Sequence, residues 1–299
     1  MTVRKKAYRQ AVTHPQWTSS HSTGELAAVL ASGFVPLGVV SGSSVMRIAA
    51  QWGYHASHKT GTKRRARYRK VFRCPHKKAL QLTGVSLRRH EPGYNWEHTV
   101  YESGVSSAVK AALPRVMDQA AALGAHGVLG SLTLEHVDGT ANHVAVTIAV
   151  TAVARSGNAL PPVPFTSNLS GISFAKAISA GCVPVGLVVG IGAVEINPGC
   201  MTERTERALH NEEVAQVSEG VTMARKLALE DLEREVATLR GDGCVEVATT
   251  TTFHDLSGVQ NPGHPGRLVV MLCVGTAVRQ FGDMEGAPEA SRTLLRLNR

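Results

Sequence analysis

A run of basic residues is the part of this sequence with the clearest capacity for chemistry. No acidic side chain occurs between Lys59 and Arg89, and the segment carries +12 against +9 for the whole chain of 299 residues. The rest of the chain therefore sums to −3. The charged residues of this basic segment are Lys59, Lys63, Arg64, Arg65, Arg67, Arg69, Lys70, Arg73, Lys77, Lys78, Arg88 and Arg89.

Such a density of positive charge attracts phosphate groups by direct Coulomb attraction and by release of counterions. Trp52, Tyr54, Tyr68 and Phe72 lie within or beside the segment, and their rings could stack on nucleobases. Nucleic acid is therefore one candidate partner. Other interpretations stay open: another anionic surface, a plain solvated loop, or a loop that docks on the acidic remainder of a neighbouring subunit.

Histidines and a cysteine gather in the same region of the chain. His55, His58, Cys74 and His76 supply nitrogen and sulfur ligands of the kind that zinc binds in fours. Their His-x-x-His and Cys-x-His spacings do not match a familiar zinc finger, and histidines beside basic loop residues are usually plain surface residues. Zinc is thus a candidate ligand, and no cofactor is required by the sequence.

No residue set argues for an enzyme. The motifs of serine hydrolases, zinc proteases, P-loops and EF-hands are absent from the sequence. Gly190-Ile-Gly192 begins like a dinucleotide fingerprint, but Glu195 stands where the third glycine belongs, so we expect these glycines to permit close packing of a strand. Glu135-His136 and His254-Asp255 end corresponding predicted strands, which allows a repeated site, but we favour a capped strand end or a turn contact at each.

The elements that must position these residues occur twice in the sequence. Gly33-Phe-Val-Pro-Leu-Gly38 recurs as Gly181-Cys-Val-Pro-Val-Gly186, with an offset of 148. Two further matches follow in the same order, with offsets of 116 and 125: Glu102 to Val105 with Ser218 to Val221, and Thr151 to Val153 with Thr276 to Val278. The drop of 32 after the first match indicates that copy one holds an insertion of about that length.

Each copy is predicted to form a short helix, an apolar strand, a long helix and two closing strands. In copy two, apolar residues at spacings of three and four give the long helix one buried stripe: Val214, Val217, Val221, Ala224, Ala228, Leu232, Val236 and Leu239. Pro114 is expected to kink or interrupt the helix of copy one. The predicted fold class is α+β: two tandem copies of a small domain with an antiparallel sheet packed on one long helix.

The composition of the chain suggests where the predicted domains begin and end. Three prolines between Ser156 and Ser167 are typical of a linker. We therefore predict an N-terminal tail at 1–20, a first domain at 21–156 with the basic insertion at about 50–98, a linker at 157–167, a second domain at 168–282 and a C-terminal tail at 283–299.

The two copies resemble the YbjQ-like family of small bacterial domains, which carry the label of putative heavy-metal-binding proteins. The resemblance rests on Leu123-Gly-Ala125, Val128-Leu-Gly130 and Gly275-Thr-Ala-Val278, and it covers both copies apart from the insertion and tails. It implies an α+β fold, homo-oligomeric rings that are pentamers in the family, and no enzymatic activity. No metal ligand of the family maps onto a residue of this chain.

These observations favour a cytoplasmic, non-enzymatic protein that assembles with itself into a ring or shell and displays the basic segment. Five cysteines without a CxxC pair indicate a reducing compartment, and the first residues lack the apolar core of a signal peptide. The uncharged runs 26–46 and 177–194 are each broken by Gly and Pro, so we expect no membrane span. The alternatives are a nucleic-acid-binding protein and a metal- or small-ligand-binding protein.

Overall fold

The computed structural model describes residues 18–48, 68–70, 93–136, 143–155, 163–255 and 266–280. Its helices are α1 (Thr23–Ala31), α2 (Thr99–Ala122), α3 (Gly171–Ser179), α4 (Cys200–Glu206) and α5 (Ala215–Thr238). Its strands are β1 (Phe34–Arg47), β2 (Tyr68–Lys70), β3 (Tyr94–Glu97), β4 (Gly127–His136), β5 (His143–Arg155), β6 (Phe165–Ser167), β7 (Cys182–Asn197), β8 (Gly243–Asp255) and β9 (Arg267–Gln280).

The described strands form two sheets. The first sheet has the order β1-β5-β4-β6, and the second sheet has the order β2-β3-β7-β9-β8. Neighbouring strands are antiparallel except for β6, which runs parallel to β4. The predicted α+β class with antiparallel sheets is therefore confirmed. Helix α2 packs on the first sheet and α5 packs on the second.

Glycines in the long strands let each long helix approach its sheet closely. A Cβ atom at Gly42 of β1 would lie 2.5 Å from the carbonyl oxygen of Ala112 in α2. At Gly190 and Gly192 of β7 a Cβ atom would lie 2.0 Å from the carbonyl oxygens of Ala228 and Ala224 in α5, respectively. The expectation that these two glycines serve close packing is therefore confirmed.

Strands β7 and β9 of the second sheet are buried on both faces, because their alternate residues point into two different apolar clusters. Val188, Val194 and Ile196 of β7 pack with α5. Val189 and Ile191 of the same strand join a larger cluster with α2 and the inward side chains of the first sheet. The layers therefore run in the order first sheet, α2, second sheet, α5, which explains why β7 and β9 are almost continuously apolar.

Pro114 does not interrupt the long helix of the first half, so that part of the prediction is wrong. Helix α2 runs without a break from Thr99 to Ala122 with Pro114 inside it. Both Pro114 and Lys110, whose carbonyl group loses its helical hydrogen bond, lie on the exposed side of the helix. Water can take the place of the missing amide there, so only one bond is lost.

The same order of elements appears in both halves of the described chain. Short helix, long strand, long helix and two strands occur as α1, β1, α2, β4 and β5, and again as α3, β7, α5, β8 and β9. The last three residues of the predicted linker form β6, which pairs with β4. The division into two separate domains stays a prediction, and the structure shows that the halves share one large core.

Candidate functional site

Two of the basic residues of the segment fall within the described chain. Arg69 and Lys70 lie on β2, which pairs with β3 so that Arg69 is opposite Asn95 and Lys70 is opposite Tyr94. The other predicted anion-binding residues lie outside the described residues: Lys63, Arg64, Arg65, Arg67, Arg73, Lys77, Lys78, Arg88 and Arg89. The predicted metal ligands His55, His58, Cys74 and His76 also lie outside them, so zinc and nucleic-acid binding stay predictions.

Strand β2 brings part of the basic segment to an edge of the second sheet where buried carboxylates lie. Glu97 of β3 is 5% exposed and Glu195 of β7 is 4% exposed. Glu102 of α2 is also buried, and its Oε1 atom accepts a hydrogen bond of 3.1 Å from the backbone N–H of Ala193. The backbone pairing places Arg69 and Lys70 beside β3 of the same chain, and docking of the basic segment on a neighbouring subunit stays a prediction.

Histidine has a structural role at the start of α2. His98 is the N-cap residue, and its Nδ1 atom accepts a hydrogen bond of 3.1 Å from the backbone N–H of Tyr101. This bond satisfies one of the amide groups that a helix leaves free at its first turn. Within the described ranges, no group of three or more His, Cys, Asp or Glu side chains could hold a metal ion.

The two histidines at strand ends do not occupy equivalent positions. His136 of β4 is opposite Val144 of β5, whereas His254 of β8 is opposite Leu268 of β9. With the offset of 125 between β5 and β9, Leu268 corresponds to His143 and not to Val144. A bulge between Val245 and Ala248 shifts β8 by one residue, so corresponding side chains there lie on opposite faces. The registers argue against a repeated Glu-His site, the alternative that the sequence did not favour.

A buried amide network joins α5 to the edge of the second sheet, and sequence analysis did not identify it. Gln216, at the start of α5, is fully buried. Its Nε2 atom donates to the backbone oxygen of Asn197 at 2.7 Å and to Oδ1 of Asn95 at 3.3 Å. Its Oε1 atom accepts from the backbone N–H of Gly199 and from the hydroxyl group of Thr202. One side chain thus holds β3, β7 and the start of α4 together.

The two halves meet at a junction built from α1, α3, β4 and β6. Residues Gly127 to Leu129 of β4 pair in parallel with Phe165 to Ser167 of β6. An apolar cluster beside this pairing contains the fully buried Val29 and Phe174. The ring of Phe174 lies 5.0 Å from the ring of Phe34 in an edge-to-face arrangement and stacks on Phe165 at 5.8 Å. The first half therefore offers a strand edge, and the second half fills it.

Hydrogen bonds around the junction repeat in both halves at the offsets that the sequence shows. The Thr18 Oγ1 atom accepts from the Val39 N–H at 3.0 Å, and the Thr166 Oγ1 atom accepts from the Leu187 N–H at 2.8 Å. Likewise, Ser20 N–H donates to Thr151 Oγ1 and Asn168 N–H donates to Thr276 Oγ1, both at 3.0 Å. Residues 18–20 therefore occupy the same position in the first half, with the same hydrogen bonds, that residues 166–168 occupy in the second half.

Thr276 is the most constrained hydroxyl group of this arrangement, and its removal should weaken the second half. The side chain is fully buried, accepts from Asn168 N–H, and lies 3.1 Å from Ser167 Oγ. Thr276→Val keeps the shape but leaves the Asn168 amide without its acceptor, so we expect a loss of about 1–3 kcal/mol in the free energy of unfolding. Urea denaturation of the variant and the unmodified chain measures this loss.

Thr222→Val is the matched control for that measurement, because Thr222 is exposed on α5 and its hydroxyl group donates to the backbone oxygen of Ser218. We expect a change within about 0.5 kcal/mol for this variant. Equal losses in the two variants would contradict the structural role assigned to Thr276.

The fold and its site define a class of protein: a two-sheet α+β chain whose halves are joined by parallel strand pairing and a shared apolar core. No family model and no solved structure matches the chain. The chain is similar to an encapsulin nanocompartment protein of Mycobacterium tuberculosis, with 25% identity over 280 residues. That alignment covers 90% of this chain and 88% of the relative.

No helix within the described ranges is both long enough and apolar enough to cross a membrane.

Proposed function

We propose that this chain is a non-enzymatic structural protein that assembles with itself into a closed ring or shell. The observation that carries the proposal is the likeness to a protein named for a nanocompartment, because it extends over 90% of the chain and therefore includes both halves and the junction between them. A likeness confined to one half would say little about assembly.

The surface of the described chain agrees with this proposal. Strand β8 is the last strand of the second sheet, and most of its residues are exposed on both faces. Val247 is 39% exposed and Phe253 is 53% exposed on this strand. A long edge strand with apolar side chains promotes association with another chain, and folded proteins generally cover or charge such an edge.

Assembly of the purified full chain tests the proposal directly. We expect mass photometry and negative-stain electron microscopy to show one population of closed particles, each of many chains, at micromolar protein concentration. Heterologous contacts close only when the rotation between subunits is fixed, so a uniform diameter is expected. A single-chain mass across that concentration range would overturn the proposal.

A change in the basic segment tests whether that segment is needed for assembly. A variant with Arg64, Arg65 and Arg67 replaced by glutamine is expected to give particles of the same size as the unmodified chain, because we assign assembly to the two halves. Loss of the particles in this variant would show that the basic segment itself holds them together.

A further inference from the structure

The junction joins a strand edge of one half to a strand segment of the other, and the described residues contain a second copy of each that is not paired with a strand. In the first half, the start of β4 binds β6, which belongs to the second half. In the second half, the corresponding start of β8 has no neighbouring strand among the described residues on the side away from β9. The segment that corresponds to β6 is residues 17–19, which precede α1. Among the described residues, β8 therefore has an open strand edge, and Thr18 and Ser19 pair with no strand.

The turn before each edge has the same hydrogen bonds, so the two edges present a similar backbone over Gly127–Leu129 and Gly243–Val245, before the bulge in β8. His126 N–H donates to the Val153 oxygen at 2.8 Å, and Asp242 N–H donates to the Val278 oxygen at 2.9 Å. The N–H of Arg155 donates to the side chain of His126, and the N–H of Gln280 donates to the side chain of Asp242. The filled edge also receives a bond from Phe165 N–H to the His126 oxygen at 3.1 Å. At the open edge, Asp242 supplies the corresponding oxygen.

A glycine marks the position where an aromatic ring fits on each edge. At Gly127 a Cβ atom would lie 2.3 Å from the ring of Phe165, so the ring requires glycine there. At Gly243, the corresponding residue, a Cβ atom would meet nothing within 4 Å. The second half has glycine where the filled edge needs it, but the described chain supplies no ring. In the sequence, Trp17 occupies the position that corresponds to Phe165.

Apolar side chains around the junction show the same difference between used and unused surfaces. Leu129 and Val29, which the first half contributes to the junction, are fully buried. Their counterparts Val245 and Ala177 in the second half pack against the margin of the same junction cluster and are only half-buried. Phe174, which the second half contributes, is also fully buried, and its counterpart Leu26 in the first half is half-buried. Burial is thus incomplete on both unused surfaces.

We infer that the open edge of β8 at Gly243 to Val245 binds the segment Trp17 to Ser19 of a second copy of this chain as a parallel strand. This inference rests on the proposed function and names the contact that would produce it. The register of β4 with β6 sets Cys244 opposite Thr18 and Val245 opposite Ser19 of the second copy. The contact is head to tail, so it repeats from chain to chain until the ring or shell closes.

Gly171 indicates that α1 and α3 lie farther apart in the proposed contact between chains than they do within one chain. A Cβ atom at Gly171 of α3 would lie 2.6 Å from the backbone oxygen of Glu25 in α1. The counterpart of Gly171 is Thr23, which carries a side chain. Helix α1 of the second copy must therefore sit farther from α3 than α1 does within one chain, while the strand pairing keeps its spacing.

A cysteine pair tests the predicted register. Paired Cα atoms on neighbouring strands lie about 5 Å apart, within the range that a disulfide spans. We expect Thr18→Cys, combined with the native Cys244, to give a ladder of linked chains on a non-reducing gel after oxidation. Burial raises the pKa of the Cys244 thiol to about 11, so diamide at alkaline pH is the suitable oxidant. Thr18→Cys with Cys244→Ser is the control and should give no ladder.

A blocked edge tests whether the contact is needed for assembly. Gly243→Val places a branched side chain where the ring of Trp17 would lie, yet a Cβ atom there touches nothing in the single chain. We expect the protein concentration at which half of the chains are assembled to rise at least tenfold. The circular dichroism spectrum of the variant should be unchanged. Ser107→Leu, at an exposed position of α2, is the control and should assemble normally.

The outcomes separate this contact from the proposed function. If the unmodified chain forms particles but shows neither the ladder nor the effect of Gly243→Val, the contact is wrong and the proposed function stands. If cysteines placed in residues 281–299 link to Cys244 within one chain, the occupant is the chain's own end and the inference also fails. A single-chain mass for the unmodified protein overturns both proposals.

Discussion

Gly192→Ala is expected to destabilise the protein by about 3 kcal/mol, although it adds only one methyl group. The new Cβ atom would lie 2.0 Å from the backbone oxygen of Ala224 and 2.8 Å from the backbone nitrogen of Ala228. Helix backbone cannot rotate away as a side chain can, so α5 has to move off the second sheet as a unit. That movement opens the cluster beneath the helix, and overpacking of this kind costs about 1–3 kcal/mol or more.

Thermal unfolding followed by circular dichroism measures this loss. For a chain of this size, about 3 kcal/mol corresponds to a fall in Tm of roughly 10 °C. Gly38→Ala is the matched control, because Gly38 lies on β1 facing α2 and its Cβ atom would meet only Leu123 Cδ1 at 3.6 Å. We expect that variant to stay within about 1 kcal/mol of the unmodified chain. Equal effects at both sites would contradict the close packing of α5.

Gln216→Leu is expected to have a comparable effect for a different physical reason. Leucine is similar in volume, but it cannot bond to the Gly199 N–H, the Thr202 hydroxyl group, the Asn197 oxygen or the Asn95 amide group. Gln216 is fully buried, so water cannot readily replace these bonds. An unsatisfied buried polar group costs about 1–3 kcal/mol, and we expect a total loss of about 3–5 kcal/mol.

Gln119→Leu is the control for the buried amide, and urea denaturation compares the two variants. Gln119 is exposed on α2, where its side chain bonds to the backbone nitrogen and oxygen of Ser41. Water can satisfy both groups at that edge of β1, so a loss of at most about 1 kcal/mol is expected. A larger loss for Gln119→Leu than for Gln216→Leu would contradict the central position given to the buried network.

Much of the fold could be predicted from local patterns. The strand at 35–46 and the buried stripe of the helix after Val214 follow from periods of two and 3.6 residues, and the structure has β1 at Phe34–Arg47 and α5 at Ala215–Thr238. The interruption predicted at Pro114 is wrong, because exposure decides whether a lost helical bond is replaced by water. Exposure is not a local property of the sequence.

The candidate site was less accessible to prediction. The equivalence of His136 and His254 failed because a bulge of one residue in β8 changes the face of every later side chain. Gln216 was missed because an amide at a helix start looks like a surface residue until three other segments close around it. The assignment of 157–167 as a linker gave no indication that Phe165–Ser167 pair with β4, since parallel pairing joins segments that are distant in the chain.

The sequence by itself determined the types and order of the elements, the excess charge of the basic segment and the recurrence of Gly-x-Val-Pro-x-Gly, because these depend on composition and short-range periodicity. Only the tertiary structure decided which recurring surfaces are filled and which are open. Gly127 and Gly243 are the same residue type in corresponding positions, yet Gly127 lies against the ring of Phe165, whereas a Cβ atom at Gly243 would meet nothing within 4 Å. That difference comes from packing between distant segments, and it makes the start of β8 the candidate assembly contact.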